Sequence, residues 1–567
     1  MNRRIFLGIA ASLAAIAVIV AVSGGFRTTV GGLRISARSP LPIAFLAFTN
    51  ATMWLAAARR ANAIGADLEI VWHALGRHSS RLIAIIGLLA AILAATFATE
   101  SAAGADASGY LSEAKAWLGS PPPRYVELLG TDFPELDGWI TTPLGWRPFD
   151  GSDQESPGAQ VPTYPPGLPL LMAIPHALGG IDGANAIVIA SAALTVWATG
   201  MLAGGIAGII AAMLIAFSPI FLYQSIQPMS DVPVTAAWAL CFLFAHRRRS
   251  LAAGVACALA VLIRPNLAPL AIIPLLIAER RVTFAAPVAI AGIFLAVINS
   301  IWYGSPLRSG YGSADELFAL ANIAPNGARY FAWLITTAPI LLVSIAGFAR
   351  MRRDRLTQAL FAFAVLVIGA YLVYAVFNDW SYLRFLLPAM AMLAVYAAIE
   401  LWVRLERCPV VLRTPLFFAL MLGVLAHGIW VARSHDTFKL ADQLKRVSQV
   451  ADLINADVPP AAVILSGEQS GSMRYYTGRP ILRWEAATAG ALAAAMATLE
   501  NAQRPVYIVL DAWEQPLFRE KFSALPAGAL DWPPIVDAGT SRRTQLWRLS
   551  DRDRFTRGGQ LNTIRLP

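Results

Sequence analysis

The chain has 567 residues, of which 57% are hydrophobic and only 14% charged, with a formal net charge of +10. A soluble protein of this size has no use for so much apolar surface, so the composition excludes one in favour of an integral membrane protein. The excess Lys and Arg flank the apolar runs. They are therefore not a nucleic-acid footprint, but match bilayer orientation and attraction to anionic lipid or phosphate.

Lipid offers no partners for backbone amides, so the spans are helices or a closed barrel, and runs that are continuous rather than alternating exclude the barrel. About thirteen spans are predicted, some of them short. In chain order they cover 4–23, 41–58, 82–98, 183–203, 205–223, 232–246, 251–264, 266–279, 283–303, 329–349, 356–377, 384–404 and 413–432. Met1-Asn2-Arg3-Arg4 precedes the first, which lacks a convincing cleavage site and reads as a retained anchor. Arg59-Arg60, His246 to Arg249, Arg280-Arg281, Arg350 to Arg355 and Arg404 to Arg413 all fall on the side of Arg3-Arg4, predicted to be cytoplasmic. The opposite side receives Thr99–Pro166, Ser225–Asp231, Gly304–Ala328, Phe377–Tyr382 and everything after Arg433. Leu168–Leu178 is too short to span and reads as an interfacial or re-entrant helix.

The tail changes composition and reads as a small α/β domain outside the membrane: helix 437–455, strand 462–465, helix, strand 506–510, helix, strand 545–549. It carries no glycine fingerprint for a nucleotide. The expected fold class is thus an all-α polytopic membrane protein with a small C-terminal α/β domain. Its parts are two N-terminal spans (1–80), a membrane catalytic domain (81–433) with the large loop 99–166, and the tail (434–567). Cys241, Cys257 and Cys408 lie in or beside spans, so no disulfide framework is expected.

Long ordered loops are uncommon unless functional, and Thr99–Pro166 is a polar, acid-bearing one. In it Asp106, Tyr110, Glu113 and Trp117 recur at helical spacing and are predicted to share one helix face. Carboxylates that bind or deprotonate hydroxyls, beside rings that cover a pyranose, suit a sugar. Asp106 serves equally well as a helix cap, and Glu113 as a partner of Lys115. Asp231 opens the next span beside Pro233, as a cap or as a second acid of the same cleft. Arg264 lies between two short apolar segments, where a cation needs an anionic partner. Arg384 begins a span and either snorkels or, like Arg264, grips a lipid phosphate. The six histidines form no metal-ligand pair, and no nucleophilic triad is legible.

Together these residues resemble the GT-C superfamily of polytopic glycosyltransferases, which includes protein O-mannosyltransferases and the lipid A aminoarabinose transferase. The resemblance covers roughly residues 82 to 480. It rests on Asp106 to Gly119, on Tyr164-Pro165-Pro166-Gly167, and on Ser218-Pro219 followed by Ser230-Asp231. Arg264-Pro265, Arg384 to Pro388 and Ser470 to Arg479 extend it. Two spans precede the usual first one, and Ala107 stands where the mannosyltransferases carry the second acid of an Asp-Glu pair.

The resemblance implies an enzyme that takes sugar from a polyprenyl-phosphate donor, in a bacterial inner membrane with the tail periplasmic. It implies Asp106 as general base with inversion and Asp231 as an orienting group. Arg264 and Arg384 would sit on the leaving phosphate, with Tyr110, Glu113, Trp117 and Tyr164 at the substrates. The acceptor is a glycan, lipid or protein. No metal ligand is assigned, and a divalent metal stays open. A transporter or lipid flippase is the rival reading, since short broken helices around a buried Arg also fit one.

Overall fold

The computed structural model describes residues 3–23, 26–30, 33–37, 39–119, 121–149, 158–312, 317–351 and 353–567. Met1-Asn2 and parts of the loops expected at 99–166 and 304–328, and of the basic cluster at 350–355, lie outside the described residues. The chain is a multi-pass membrane protein, mostly helical, with a mixed sheet near its C-terminus. Among the described residues seven helices are long and apolar enough to cross a membrane: Leu41–Arg60, Ser79–Thr96, Gly167–Ala203, Arg281–Tyr303, Arg355–Leu372, Trp380–Glu406 and Val410–Ser434. Two further helix pairs, bent by 65° and 107°, bring the number to nine if each pair is one span.

That differs from the thirteen expected, and the reason lies in the breakers. Pro219 and Pro339 each begin the second member of a bent pair, where a ring without an amide cannot continue the helix before it. Asp231–His246, Ser250–Ile263 and Pro265–Ile277 are apolar but short. The interfacial segment expected at 168–178 runs into the next span as one helix, Gly167–Ala203, broken at Gly179 and Gly180, which leave helical geometry. Outward faces carry bare apolar side chains such as Phe45, Phe48, Ile290 and Ile293, the surface lipid covers. Leu387–Glu406 is packed at the centre, buried along most of its length.

Two of the basic clusters are held by buried acids. Arg3 and Arg4 reach Asp67 at 2.8 and 3.0 Å, and Arg350 and Arg404 reach Glu400 at 2.6 and 2.9 Å. A short antiparallel hairpin, Phe26–Val30 with Leu33–Ala37, and an amphipathic helix, Ile64–Arg77, stand in the first eighty residues beside the two expected helices.

The C-terminal sheet has six strands in the order 564–566, 536–538, 544–548, 506–511, 463–466 and 481–483. The three predicted strands are its centre, and the three short ones extend it. Loop 99–166 folds as helix Gly104–Trp117 followed by two short helices and a three-stranded sheet. It is fastened to the C-terminal region. Ala102 N–H donates to Tyr476 Oη at 2.6 Å, Gly104 N–H to Gln469 Oε1 at 3.1 Å, and Arg504 pairs with Asp132 at 2.6 Å. Leu129 and Ile140 of the loop enter the core of that region.

Candidate active site

Six separated segments converge where this loop meets the helix bundle. Helix Gly104–Trp117 presents Asp106 in its first turn, but the side chain does not cap it. Oδ1 accepts from the Tyr164 hydroxyl at 2.7 Å and Oδ2 from Arg384 Nη2 at 2.7 Å. Burial pushes the Asp106 carboxyl up, yet the Arg384 charge and the Tyr164 and Arg384 hydrogen bonds outweigh it, and the group sits below its ordinary value. The carboxylate stays ionised and partly open to solvent.

The second acid is set deeper. Asp231 begins helix Asp231–His246, fully buried, and its Oδ1 is paired with Arg264 Nη2. Oδ2 is buried with no hydrogen-bond partner. Arg264 also donates to Tyr371 Oη at 3.3 Å and Ser230 Oγ at 3.4 Å, and Tyr110 Oη donates to Ser230 Oγ at 3.0 Å. The two acid–arginine pairs are joined by rings. Phe385 lies 5.4 Å from the Arg264 guanidinium and 5.3 Å from that of Arg384, and Tyr110 lies 4.6 Å from Tyr164. Arg384 Nε is buried without a partner, a donor held in reserve.

The Tyr-Pro-Pro-Gly segment works by close approach. A Cβ at Gly167 would stand 2.4 Å from the Leu262 carbonyl carbon, so only glycine lets this helix start lie against the chain just before Arg264. Gly109 does the same for Tyr164: its Cβ would fall 2.2 Å from Cε2 of that ring. Alanine in a helix interior gains about 1 kcal/mol over glycine, whereas overpacking costs about 1–3 kcal/mol. At 2.2 Å the clash prevails. Gly109→Ala is expected to lower the thermal midpoint and to push Tyr164 off Asp106. A midpoint at or above wild type would refute this.

Of the residues read from the sequence, Asp106, Tyr110, Tyr164, Asp231, Arg264 and Arg384 come together. Glu113 and Trp117 do not join them. Glu113 is fully buried, accepts from Trp117 Nε1 at 3.1 Å, and is not paired with Lys115. Trp117 packs 5.9 Å from Trp302. Burial drives the Glu113 carboxyl well above its ordinary value. The helix turns these two toward Arg281–Tyr303 because its first turn faces the bundle and its last faces that helix. Sequence reasoning missed Ser230 as a bridge, Tyr371 and Phe385. Tyr371 stands in an apolar run and gave no signal, while Phe385 lay inside the quoted Arg384 segment. Among the described residues no group of three or more His, Cys, Asp or Glu comes together, and Asp106 spends both oxygens on Tyr164 and Arg384. This donor set does not fit a metal ion.

Glu468 of the C-terminal region approaches from the other side. Its Oε1 lies 3.2 Å from where a Cβ on Gly104 would sit. Burial, then the charges of Glu485 and Asp106, push its carboxyl up to about 7 from the usual 4.5. A raised carboxyl holds in the folded state a proton the unfolded chain releases. Its contribution to stability is therefore present at low pH and lost as pH rises from 4.5 to about 7. Glu468→Gln is expected to flatten the fall of thermal midpoint over that window, and an unchanged slope would refute it.

No family model matches the chain, and no curated protein matches it. Among solved structures it is similar to ArnT from Cupriavidus metallidurans in the apo state, at 14% identity and TM-score 0.48, over 82% of this chain and 97% of that one. It is similar also to the same ArnT bound to undecaprenyl phosphate, at 14% identity and TM-score 0.46 over the same shares. A third is the Archaeoglobus fulgidus oligosaccharyltransferase in complex with Zn and sulfate, at 15% identity and TM-score 0.46, over 76% of this chain and 68% of that one.

Proposed function

We propose that the chain is an inverting glycosyltransferase that moves a sugar from a polyprenyl phosphate to an acceptor hydroxyl, with Asp106 as general base. The observation that carries this is the joint placement of an ionised, partly open carboxylate and an arginine with a buried unused donor, 2.7 Å apart where loop 99–166 meets the helix bundle. Base and phosphate ligand are the two groups this reaction needs. Asp106 takes the acceptor proton as the acceptor oxygen bonds to the anomeric carbon. The carbon–oxygen bond to phosphate breaks on the opposite face, and its electron pair stays on the phosphate oxygen. Arg384, with Arg264 behind it, holds that growing charge. Asp231 fixes Arg264, and Tyr164 orients Asp106. The prenyl tail remains in lipid, favoured by about 0.8 kcal/mol per buried methylene. The basic clusters support a cytoplasmic N-terminus with the site on the far side of the membrane, which the resemblance implies is a bacterial inner membrane.

The test is transfer from a panel of radiolabelled polyprenyl-phosphate sugars to an envelope extract by protein in nanodiscs. A new glycosidic bond and free polyprenyl phosphate are expected. Movement of intact substrate across the bilayer, with no new bond, would put transport in its place.

A further inference from the structure

The C-terminal region carries an open pocket of about 490 Å³ lined by Trp484, Glu485, Trp513, Leu517, Glu520 and Lys521. Its contents are unusual for a surface. Trp513 is 57% exposed, a large ring with nothing over it. Trp484 is fixed edge-on, its indole N–H donating to Glu514 at 3.1 Å, and Lys521 lies 5.7 Å from its ring. Lys521 donates to the Glu485 carbonyl at 2.7 Å, so its ammonium is held at the pocket. Among the described residues the Glu485 carboxylate has no ion-pair or hydrogen-bond partner.

A short chain of packed contacts, through Gly467 and Gly104, runs between the pocket and the Asp106 helix. A Cβ at Gly467 would lie 2.3 Å from Trp484 Nε1 and 3.0 Å from Glu485 Oε1, so the glycine lets the backbone pass directly beside the pocket. The next residue is Glu468, whose carboxylate reaches Gly104 at the start of the Asp106 helix, and the Asp106 charge acts on it. The pocket therefore stands only a few packed residues from the helix that carries Asp106.

We infer that this pocket binds a saccharide chain, held by Trp513, Glu485 and Lys521. On the proposed function, on which this rests, the pocket is the subsite for a glycan acceptor. The chemistry favours a neutral saccharide. The bare Trp513 ring covers the C–H face of a pyranose, while carboxylates accept from and an ammonium donates to its hydroxyls. One lysine beside two glutamates is a poor phosphate site, and the polar rim is a poor lipid groove.

The test uses the full chain in nanodiscs and a panel of short neutral hexose and N-acetylhexosamine oligosaccharides, with binding read by calorimetry. Undecaprenyl phosphate binding is read separately. Trp513→Ala and Glu485→Gln are each expected to weaken saccharide binding about tenfold or more, roughly the loss of one good contact. They should raise acceptor KM similarly while kcat and undecaprenyl phosphate binding hold. Equal saccharide binding by wild type and both variants would overturn the inference, as would binding of a Lys-rich peptide in place of every saccharide. Saccharide binding lost in Trp513→Ala, in a protein that transfers no sugar, would uphold the pocket and remove the transferase reading. Transfer and saccharide binding both untouched by Trp513→Ala would do the reverse.

Discussion

Asp106→Asn is expected to lower transfer by about 10²–10⁴-fold, the range a positioned general base contributes. The substitution keeps the size of the side chain and removes its ability to take a proton. It also changes what Arg384 meets. One carboxylate oxygen accepts from Tyr164 and the other from Arg384, but an amide has one acceptor, so either Tyr164 or Arg384 loses its partner. The variant therefore releases donors that a phosphate can use. Undecaprenyl phosphate should bind it at least as tightly as wild type, while kcat falls. A structural role for Asp106 predicts the opposite, with binding and folding failing together. The pH profile separates the two further. Arg384 and Tyr164 hold the Asp106 carboxyl below its ordinary value, and a base must be ionised to work. The acid limb of kcat should lie below the usual carboxylate range. Full activity of Asp106→Asn would sink the assignment.

The largest effect on stability is expected at Asp231. Removing one member of a buried ion pair costs about 3–5 kcal/mol, because the other charge stays buried without compensation. Asp231→Ala leaves Arg264 with only neutral hydroxyls, those of Ser230 and Tyr371. Replacing both members by well-packed hydrophobic residues of similar volume is often harmless to folding. The double variant Asp231→Leu, Arg264→Met should thus regain most of the thermal midpoint lost in Asp231→Ala, yet remain inactive because the cation is gone. A single variant that melts within about 1 kcal/mol of wild type would show that the pair does not hold the site.

Much of this was legible in the chain, and what was not has physical reasons. Apolar runs announce membrane helices, but hydropathy alone does not see where Pro219, Pro339 or Gly179-Gly180 turn a run aside, hence thirteen expected spans against seven to nine. A buried cation requires an anion, so a partner for Arg264 was expected, but its identity was not, because the partner lies 33 positions away on another helix. Asp106 and Arg384 were each singled out, and their contact spans 278 positions that no periodicity relates. Spacing along the helix grouped Glu113 with Asp106. Packing divided them, since a helix between two neighbours offers different turns to each. Strands of three residues, such as Ile481–Arg483, are too short to show alternation.

The fastening of Ala102 and Gly104 to Tyr476 and Gln469 has a consequence in time. Synthesis delivers residues 102–117 early, yet the groups that pin them leave the ribosome more than 360 residues later, by the separations of those two bonds. Membrane helices insert as they emerge, so the bundle is in place while the base is still unmoored. A nascent or truncated chain is therefore a membrane protein without a reaction centre. On the proposed function, the chain becomes competent only when its last quarter folds back over its first.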